Sequence, residues 1–353
     1  MSRFFSGKFK DLEAYTPGEQ PNDSEIIKLN TNENPYPPSP KIADVLANFD
    51  IAALRRYPDP IFKALRKRIA EIHGCKIENI FIGNGSDEVL SVAAKAFVQN
   101  DEAIGSFDPS YSLYKTLAAI RDVKFVSSFL DENYLWTDPI VRKDETDVAL
   151  FLLTNPNAPT SLSFPKEKIK AFASSFQGVL IIDEAYADFA NENMMDLATE
   201  QGNENTIVMR TLSKSFSLAG LRLGYCVGPE DLIEAMYKVK DSYNIDMIAQ
   251  AVALAALEDI EWMKANAQKV CATRRRLTDA LRAHGWDVPE SQSNFIFAKP
   301  VNKPAQEIFN QLRERHIFVR YFPGASTGER LRISIGTDEE TDKLLACLLE
   351  LDK

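Results

Sequence analysis

Three largely apolar runs of strand length lie in the middle of the chain, and each ends in a cluster of polar residues. They cover residues 148–153, 178–182 and 206–209. Continuous apolar strands of this kind are typical of a parallel sheet that is buried on both faces. Helical spacing over residues 166–175 lies between the first two runs, as a crossover connection requires. Ligands bind at the carboxyl ends of such strands, so we expect the three polar clusters to converge.

Shorter patterns precede these strands. Residues 26–29 form a short apolar stretch, and helical periodicity follows over residues 41–47 and again over residues 62–72. The first part of the chain has little periodicity and many turn-forming residues. We therefore predict an N-terminal arm over residues 1–35 that packs with the C-terminal part of the chain.

The pattern changes near residue 245. Helical spacing over residues 248–257 continues into residues 261–283, which predicts one long helix. The remaining patterns are three short strands and a final helix, at residues 293–298, 317–322, 330–336 and 339–351. We therefore predict an α/β fold with a large domain over residues 36–245, whose mostly parallel sheet is covered by helices, and a smaller α+β domain over residues 246–353.

The composition limits the classes of function. The 353 residues are 45% hydrophobic and 26% charged, with a net charge of −10. A negative net charge does not favour binding to nucleic acid or to an anionic membrane. No apolar run reaches membrane-spanning length and the first residues lack a secretory pattern, so we expect a cytosolic protein. Four widely spaced cysteines and only three histidines predict neither a disulfide framework nor a metal site.

Candidate chemistry begins in the loop after the third run. Lys214 is a candidate nucleophile, and Thr211 and Ser213 place hydroxyl groups beside it. Arg222, further along, offers a fork of donors suited to a phosphate. An amine beside a phosphate site suggests pyridoxal phosphate, an aldehyde cofactor that a lysine holds covalently. The expected convergence of the clusters favours this interpretation over an ordinary surface loop.

The cluster after the second run contains Asp183 and Tyr186. A carboxylate at the end of an apolar strand is costly to bury without a partner, and a protonated pyridinium nitrogen would be such a partner. Tyr186 would donate a hydrogen bond to the phenolate oxygen of the same ring. The alternative for Asp183 is the N-cap of a following helix.

A Gly-x-Gly turn at Gly83 and Gly85 opens a predicted helix. The amides of Ser86 and Asp87 lie at the start of that helix, where its dipole favours an anion, although a helix cap would explain the same pattern. Tyr111 lies in a turn after another predicted strand. It is a candidate for stacking on a flat ring, or for ordinary packing.

Two arginines, Arg320 and Arg332, lie on predicted strands of the small domain. A strand arginine that faces the interior needs an anion, so each is a candidate for binding a carboxylate or a phosphate. Facing outwards, either would be an ordinary solvated side chain. Tyr57 lies in an accessible loop between two predicted helices, from which it would reach a neighbouring chain.

Eight short motifs follow one another along the chain: Leu29-Asn-Thr-Asn-Glu-Asn-Pro35, Arg56-Tyr-Pro58, Gly83-Asn-Gly-Ser-Asp-Glu88, Asn155-Pro-Asn-Ala-Pro-Thr160, Asp183-Glu-Ala-Tyr186, Thr211-Leu-Ser-Lys214, Gly220-Leu-Arg-Leu-Gly224 and Leu331-Arg-Ile-Ser-Ile-Gly-Thr337. In content and order they resemble the fold-type-I pyridoxal-phosphate enzymes, in the branch of class I/II aminotransferases formed by the histidinol-phosphate aminotransferases. The resemblance covers almost the whole chain.

The resemblance implies a role for each matching residue. Lys214 would hold the cofactor and shuttle a proton, with Asp183 at the ring nitrogen and Tyr186 at the ring oxygen. The other implied cofactor contacts are Ser86, Asp87, Thr211, Ser213 and Arg222 at the phosphate, Tyr111 on the ring face, and Tyr57 from the partner subunit of a homodimer. The implied substrate contacts are Arg332 to the carboxylate of glutamate or 2-oxoglutarate, and Arg320, Tyr15 and Asn32 to the phosphate or ring of the other substrate.

Two residues depart from the family's usual Asn-Pro-Thr-Gly run. Ala158 stands directly before Pro159 and has no amide, and Ser161 replaces the glycine. We therefore assign the ring-oxygen contact to Asn157, with Asn155 as the alternative.

The resemblance implies an aminotransferase of histidine biosynthesis that exchanges an amino group between histidinol phosphate and 2-oxoglutarate. It also implies a cytoplasmic homodimer with shared active sites and small-molecule substrates. An aromatic amino acid aminotransferase and a decarboxylase of threonine phosphate are alternatives on the same scaffold. A binding or regulatory module without turnover is an alternative of another class, which the intact Lys214 disfavours.

Overall fold

The structure is a computed structural model that describes residues 18–21 and 26–353. Its strands are β1 (Ile27–Lys28), β2 (Ile80–Gly83), β3 (Ala103–Asp108), β4 (Lys124–Phe129), β5 (Arg142–Lys143), β6 (Thr146–Thr154), β7 (Val179–Asp183), β8 (Thr206–Thr211), β9 (Gly224–Val227), β10 (Phe295–Ala298), β11 (Ile317–Phe318), β12 (Arg320–Tyr321) and β13 (Leu331–Ser334). Its α-helices are α1 (Lys41–Ala47), α2 (Lys63–His73), α3 (Ser86–Phe97), α4 (Leu113–Arg121), α5 (Lys166–Ser175), α6 (Met195–Thr199), α7 (Glu230–Val239), α8 (Met247–Leu257), α9 (Ile260–Ala283), α10 (Ala305–Glu314) and α11 (Asp338–Leu351).

The largest sheet in the described residues has eight strands. Seven of them lie in the order β2-β9-β8-β7-β6-β3-β4, and β5 pairs with β6 at the side. The three apolar runs form β6, β7 and β8, which are adjacent and parallel, so the predicted parallel sheet is confirmed. In register, Thr154 lies opposite Asp183, and Asp183 lies opposite Met209. The polar segments that follow these strands therefore leave the sheet at the same edge.

Alternate residues of the parallel strands enter two separate hydrophobic cores. Ile182 and Val208 belong to a core with residues of α2, α5 and α8. Ile181 and Met209 belong to a core on the other face, with residues of α3, α4 and α7. Both faces of the sheet are covered, as continuous apolar strands require.

The C-terminal part of the chain forms its own layer. Strands β10, β13 and β12 form an antiparallel sheet in that order, and α9, α10 and α11 supply residues to the core beside it. Strand β1 pairs in parallel with β11, so this part of the predicted arm packs against the C-terminal layer. None of the helices in the described part of the chain is long and apolar enough to cross a bilayer.

The structure differs from the predicted pattern in two places. The long helix predicted across residues 248–283 is two helices, because Asp259 leaves helical geometry with φ −125° and ψ 49°, and its carboxylate accepts a hydrogen bond from Ser39. Helix α8 packs against α1 and α2 and contributes to the core of the large sheet, although it lies beyond residue 245. The strand pattern over residues 317–322 is divided into β11 and β12, which pair with different partners.

Candidate active site

A cavity of about 460 Å³ lies at the carboxyl edge of the parallel strands, between the large sheet and the small antiparallel sheet. Most of the predicted site residues line it: Asn32, Ser86, Asp87, Tyr111, Asp183, Tyr186, Thr211, Ser213, Lys214, Arg222, Arg320 and Arg332. The polar segments that follow β7 and β8 thus converge with the start of α3 and with two strands of the small sheet.

Lys214 lies half-buried in the loop after β8. Its Nζ donates a hydrogen bond to the carbonyl oxygen of Thr31 at 3.1 Å. Burial, reinforced by the positive charge of Arg332, lowers the pKa of the Lys214 amine to about 8, against the opposing effect of Glu33 and Asp87. The neutral, nucleophilic fraction of the amine near physiological pH is therefore much larger than that of an ordinary lysine.

Asp183 is the last residue of β7 and its side chain faces the cavity, where the residue is only 4% exposed. Its Oδ2 accepts a hydrogen bond from the Tyr114 hydroxyl at 2.9 Å, and its Oδ1 accepts one from the Ala185 amide at 3.1 Å. Burial raises the pKa of this carboxyl group to about 6, and these two hydrogen bonds oppose the rise. A cationic partner in the cavity would restore the charged form.

The start of α3 forms a cradle for an anion. The N-cap residue Gly85 has φ +79° and offers no side-chain acceptor to the first amides of the helix, so a side-chain cap does not explain the motif. A Cβ atom at Gly85 would lie 2.7 Å from Nη2 of Arg222, and one at Gly224 would lie 2.5 Å from the Ser86 nitrogen. Glycine therefore permits the close approach that brings Arg222 and the Ser86 amide to one place.

Hydroxyl groups complete this cradle. Thr211 Oγ1 donates a hydrogen bond to Ser213 Oγ at 3.0 Å, and Arg222 lies 3.2 Å from the Asp87 carboxylate in a half-exposed ion pair. Tyr111 donates a hydrogen bond to the same carboxylate at 3.3 Å. The predicted phosphate contacts are therefore brought together, on the side of the cavity formed by the large sheet.

Asn32 connects three parts of the molecule. Its Nδ2 donates to the Tyr186 hydroxyl at 2.9 Å, and its Oδ1 accepts from Ser334 Oγ at 3.0 Å. Its carbonyl oxygen accepts a hydrogen bond from Asn294 at 2.9 Å. The structure thus places Asn32 in the cavity wall with its amide engaged, where it orients the Tyr186 hydroxyl.

The two predicted arginines lie directly opposite each other. Arg320 on β12 and Arg332 on β13 are cross-strand partners, and the ring of Phe322 lies 5.3 Å and 5.2 Å from their respective guanidinium carbons. Arg332 also donates to the carbonyl oxygen of Asn30 at 2.8 Å. Two like charges directly opposite each other are unfavourable, and the shared cation–π contact with the Phe322 ring offsets part of that repulsion.

Neither asparagine considered for the ring oxygen lines the cavity. Asn157 is fully buried: its Nδ2 donates to the Pro109 carbonyl and to Thr160, and its Oδ1 accepts from Ser110. Asn155, the alternative, accepts from the Phe164 amide. Ala158 lines the cavity in their place.

Tyr57 does not line the cavity either. Tyr57 is 78% exposed and its ring stacks on Tyr243 with a centroid separation of 4.4 Å. Tyr15 lies outside the described residues.

The sequence interpretation missed three residues that support the site. Tyr114 donates a hydrogen bond to the Asp183 carboxylate. The feature that could have indicated it is a tyrosine hydroxyl group on the buried face of α4. Asn34 donates to the carbonyl oxygens of Lys214 and Ser215, at 3.2 and 3.1 Å. It lies in the same motif, residues 29–35, as Asn32, which is the residue of that motif with a predicted contact. Arg210, a buried arginine within β8, carried a signal in the sequence as a charge inside an apolar strand.

These residues fit pyridoxal phosphate. A buried carboxylate with a raised pKa suits a cationic ring nitrogen, and a lysine with a lowered pKa suits an aldehyde. The start of α3, with Arg222 and two hydroxyl groups, suits a phosphate. The donor set for the ring oxygen is smaller than predicted, because Tyr186 lines the cavity and the two asparagines do not.

Comparison with known proteins gives a family match over residues 24–348 to the aminotransferase class I and II model. Histidinol-phosphate aminotransferase of Microcystis aeruginosa is 42% identical, over 96% of this chain and 95% of that protein. Histidinol-phosphate aminotransferase 1 of Burkholderia pseudomallei is 43% identical, over 99% of each. The crystal structure of histidinol-phosphate aminotransferase from Sinorhizobium meliloti in complex with pyridoxal-5'-phosphate superposes with a TM-score of 0.84 at 25% identity, covering 92% of this chain and 91% of that one.

Proposed function

The chain belongs to the aminotransferase class I and II family, and from this premise we propose that it is a pyridoxal-phosphate-dependent aminotransferase that converts histidinol phosphate and 2-oxoglutarate to imidazole-acetol phosphate and glutamate. Relatives that carry the name histidinol-phosphate aminotransferase, at 42% and 43% identity over nearly full length, support this substrate pair. The fold is that of the fold-type-I pyridoxal-phosphate enzymes.

One observation carries the proposal: the Lys214 amine, the Asp183 carboxylate and the anion cradle of α3 line one cavity, with two opposed arginines on its other wall. Each feature alone has an ordinary structural explanation. Together they match a cofactor with an aldehyde, a basic ring nitrogen and a phosphate, and a substrate that carries its own anionic groups.

The side chains on the large sheet would do the chemical work. When bound, pyridoxal phosphate supplies an aldehyde that reacts with amino groups and a ring that withdraws electrons. Lys214, with a pKa near 8, both holds the cofactor and carries a proton to or from the substrate carbon. Asp183 keeps a proton on the ring nitrogen, and Tyr114 and the Ala185 amide hold that carboxylate in place.

The arginines on the small sheet would recognise the substrates. Arg332, fixed by the Asn30 carbonyl oxygen, binds the carboxylate of glutamate or 2-oxoglutarate, and Arg320 binds the phosphate of histidinol phosphate. Guanidinium groups suit both anions because they donate two parallel hydrogen bonds. Binding anions on both arginines would relieve the repulsion between these cross-strand neighbours.

The active form would be a homodimer. Exposed apolar side chains cluster on the segment after α1, including Ile51 at 76% exposure, Leu54, Tyr57 and Ile61, with Tyr243 beside Tyr57. Contiguous apolar patches of this kind are typical of interfaces. A second copy would cover this patch and bring its Tyr57 to the cofactor phosphate of the first.

The domain division and location are parts of the same proposal. We propose an arm over residues 1–35, a large domain over residues 36–245 around the eight-stranded sheet and a small domain over residues 246–353 around the antiparallel sheet. The packing of α8 on α1 and α2 favours a boundary between the two domains one helix later. A cytosolic location agrees with four free cysteines, which are typical of a reducing compartment.

A half-reaction screen tests the substrate assignment. The purified protein, loaded with pyridoxal phosphate, is mixed separately with histidinol phosphate, glutamate, phenylalanine and threonine phosphate, and the cofactor absorbance is followed. We expect conversion to the amine form of the cofactor with histidinol phosphate and with glutamate. Conversion with phenylalanine but not histidinol phosphate would replace the proposal with an aromatic aminotransferase, and release of CO₂ from threonine phosphate would replace it with a decarboxylase. Lys214→Ala is the matched control and should convert none of them.

A further inference from the structure

A buried ionic cluster lies behind the active site, on the reverse face of the large sheet. Arg210 is in β8 between Met209 and Thr211. Neighbouring residues of a strand point to opposite faces, so Arg210 points away from the cavity that Thr211 lines. It enters the side of the sheet on which Val208 and Tyr225 pack.

Arg210 is bound by two carboxylates. Its Nη2 lies 2.8 Å from Glu184 Oε2, and its Nη1 donates to Asp188 Oδ1 at 2.9 Å. Arg210 and Glu184 are both buried. Burial opposes the charge of Arg210, but Glu184 and Asp188 raise the pKa of its guanidinium group. The arginine therefore stays cationic at any physiological pH.

Each carboxylate leads to a residue next to a catalytic group. Glu184 directly follows Asp183, and its other oxygen accepts a hydrogen bond from the Met194 amide. Asp188 accepts, through its second oxygen, a hydrogen bond from the hydroxyl group of Ser215, which directly follows Lys214. A chain of side-chain contacts thus joins the segment of Asp183 to the loop of Lys214.

The two catalytic groups need such a link because they belong to different segments. Asp183 ends β7, whereas Lys214 lies in an irregular loop after β8, beyond the last ladder pair between those strands, which is Asp183 with Met209. The pairing of β7 with β8 therefore does not extend to the lysine. A buried charged network with several hydrogen bonds has few alternative arrangements, so it fixes geometry more strictly than apolar contacts would.

We infer that Arg210, with Glu184, Asp188 and Ser215, is a positioning cluster that holds the Lys214 loop at a fixed place relative to Asp183 from the reverse face of the sheet. This inference rests on the proposed function, because it assigns a role in the same active site. None of the four side chains needs to touch the cofactor. They act through the backbone of the two residues that do.

The chain offers a matched pair of serines for the test. Ser215 Oγ bonds to Asp188, whereas Ser217 Oγ, in the same loop, is buried and has no hydrogen-bond partner among the described residues. Ser215→Ala and Ser217→Ala therefore remove the same group from the same loop, and only the first breaks the cluster.

The experiment uses the full-length chain, freed of cofactor and then mixed with pyridoxal phosphate. The rate of capture by the Lys214 amine is followed by absorbance from pH 6 to 10, and the rate of release is followed after dilution. In the wild type the capture rate should rise with a midpoint near pH 8, the pKa of Lys214. In Ser215→Ala a looser loop would admit water to the amine, so we expect the midpoint to rise by about one unit and release to be about tenfold faster. Ser217→Ala should match the wild type.

Asp188→Asn is the second variant, and it keeps the shape of the side chain while removing its charge. It should shift midpoint and release rate in the same direction as Ser215→Ala, and the double variant should be no worse than the stronger single variant, because both changes break one path. The inference is wrong if both variants lower only the unfolding temperature and leave midpoint and release rate as in Ser217→Ala. A wild type that captures no cofactor at Lys214 would instead overturn the proposed function.

Discussion

The two walls of the cavity differ in whether their charged groups titrate near neutral pH. On the large sheet, burial moves the pKa of Asp183 up to about 6 and that of Lys214 down to about 8, so both groups can gain or lose a proton near neutral pH. On the small sheet, Arg320 and Arg332 face each other across a strand pair and share the ring of Phe322. Guanidinium groups stay charged at all relevant pH values.

This difference divides the work between the walls. Groups whose pKa lies near the working pH suit proton transfer, whereas permanent charges with a fixed shape suit the recognition of anions. We therefore expect changes on the large-sheet wall to alter the chemical step, and changes on the small-sheet wall to alter substrate saturation.

The largest effect is expected from Asp183→Asn. The amide keeps the shape of the side chain but cannot pair with a cationic ring nitrogen, so kcat should fall by about 10³-fold while KM for the substrates changes little. Steady-state kinetics with both substrates measure this. A kcat within a factor of two or three of the wild type would break the assignment of the large-sheet wall to chemistry.

Arg332→Ala should give the complementary result. Removing one partner of a bound charge pair costs about 2–5 kcal/mol, so we expect saturation by glutamate to require about 100-fold more substrate. Pyridoxal phosphate should still be captured by Lys214, with the pH midpoint of capture moved upwards, because the Arg332 charge helps to lower the pKa of the Lys214 amine. Arg320→Ala is the matched control on the opposite strand and should weaken the binding of histidinol phosphate more than that of glutamate. Normal glutamate saturation in Arg332→Ala would show that this arginine does not bind the carboxylate.

A third prediction concerns the stability of the cofactor-free protein. The pKa of Asp183 is about 6 in the folded protein, above the ordinary value of 3.8. Between these values the folded chain binds more protons than the unfolded chain, so its stability falls as pH rises. At pH 7 Asp183→Asn should therefore raise the free energy of unfolding by about 1–3 kcal/mol, and the gain should shrink towards pH 4. Urea unfolding at several pH values measures it, and a destabilised variant at pH 7 would contradict the buried-charge account.

The smallest effect is expected from Tyr57→Phe. Loss of one hydroxyl contact to a phosphate should speed the release of cofactor a few-fold, and only if a second copy brings Tyr57 to the site. Ile51→Asp, which places a charge in the exposed apolar patch, should produce monomers in sedimentation analysis and the same fast release. A wild type that sediments as a monomer would exclude the shared site.

The sequence predicted the large-sheet wall better than the small-sheet wall. Buried parallel strands have an unmistakable apolar pattern and place their polar ends at one edge, so the convergence of Asp183 and Lys214 followed from the pattern itself. The orientation of the Arg320 and Arg332 side chains could not be predicted from the sequence. Both residues lie on short strands, in which periodicity does not distinguish an inward from an outward side chain. Their opposition across β12 and β13 depends on a register that only the structure shows.

Contacts between side chains that are far apart in the sequence also could not be predicted. The hydrogen bonds of the Asn157 side chain go to Thr160 in its own loop and to Pro109 and Ser110 in the segment after β3, and no sequence spacing indicates that arrangement. The cluster around Arg210 likewise joins β8 to the segments that follow β7 and β8. An isolated arginine in an apolar strand was the sole indication of that cluster in the sequence.

Lys214 is the residue that we propose to bind the cofactor covalently. The most direct measurement is reduction of the cofactor-loaded protein with borohydride, followed by proteolysis and mass spectrometry of the peptides. The account predicts a phosphopyridoxyl group on the peptide that contains Lys214 and on no other lysine. A label on a different lysine, or a Lys214→Ala variant that acquires the same amount of label, would contradict it.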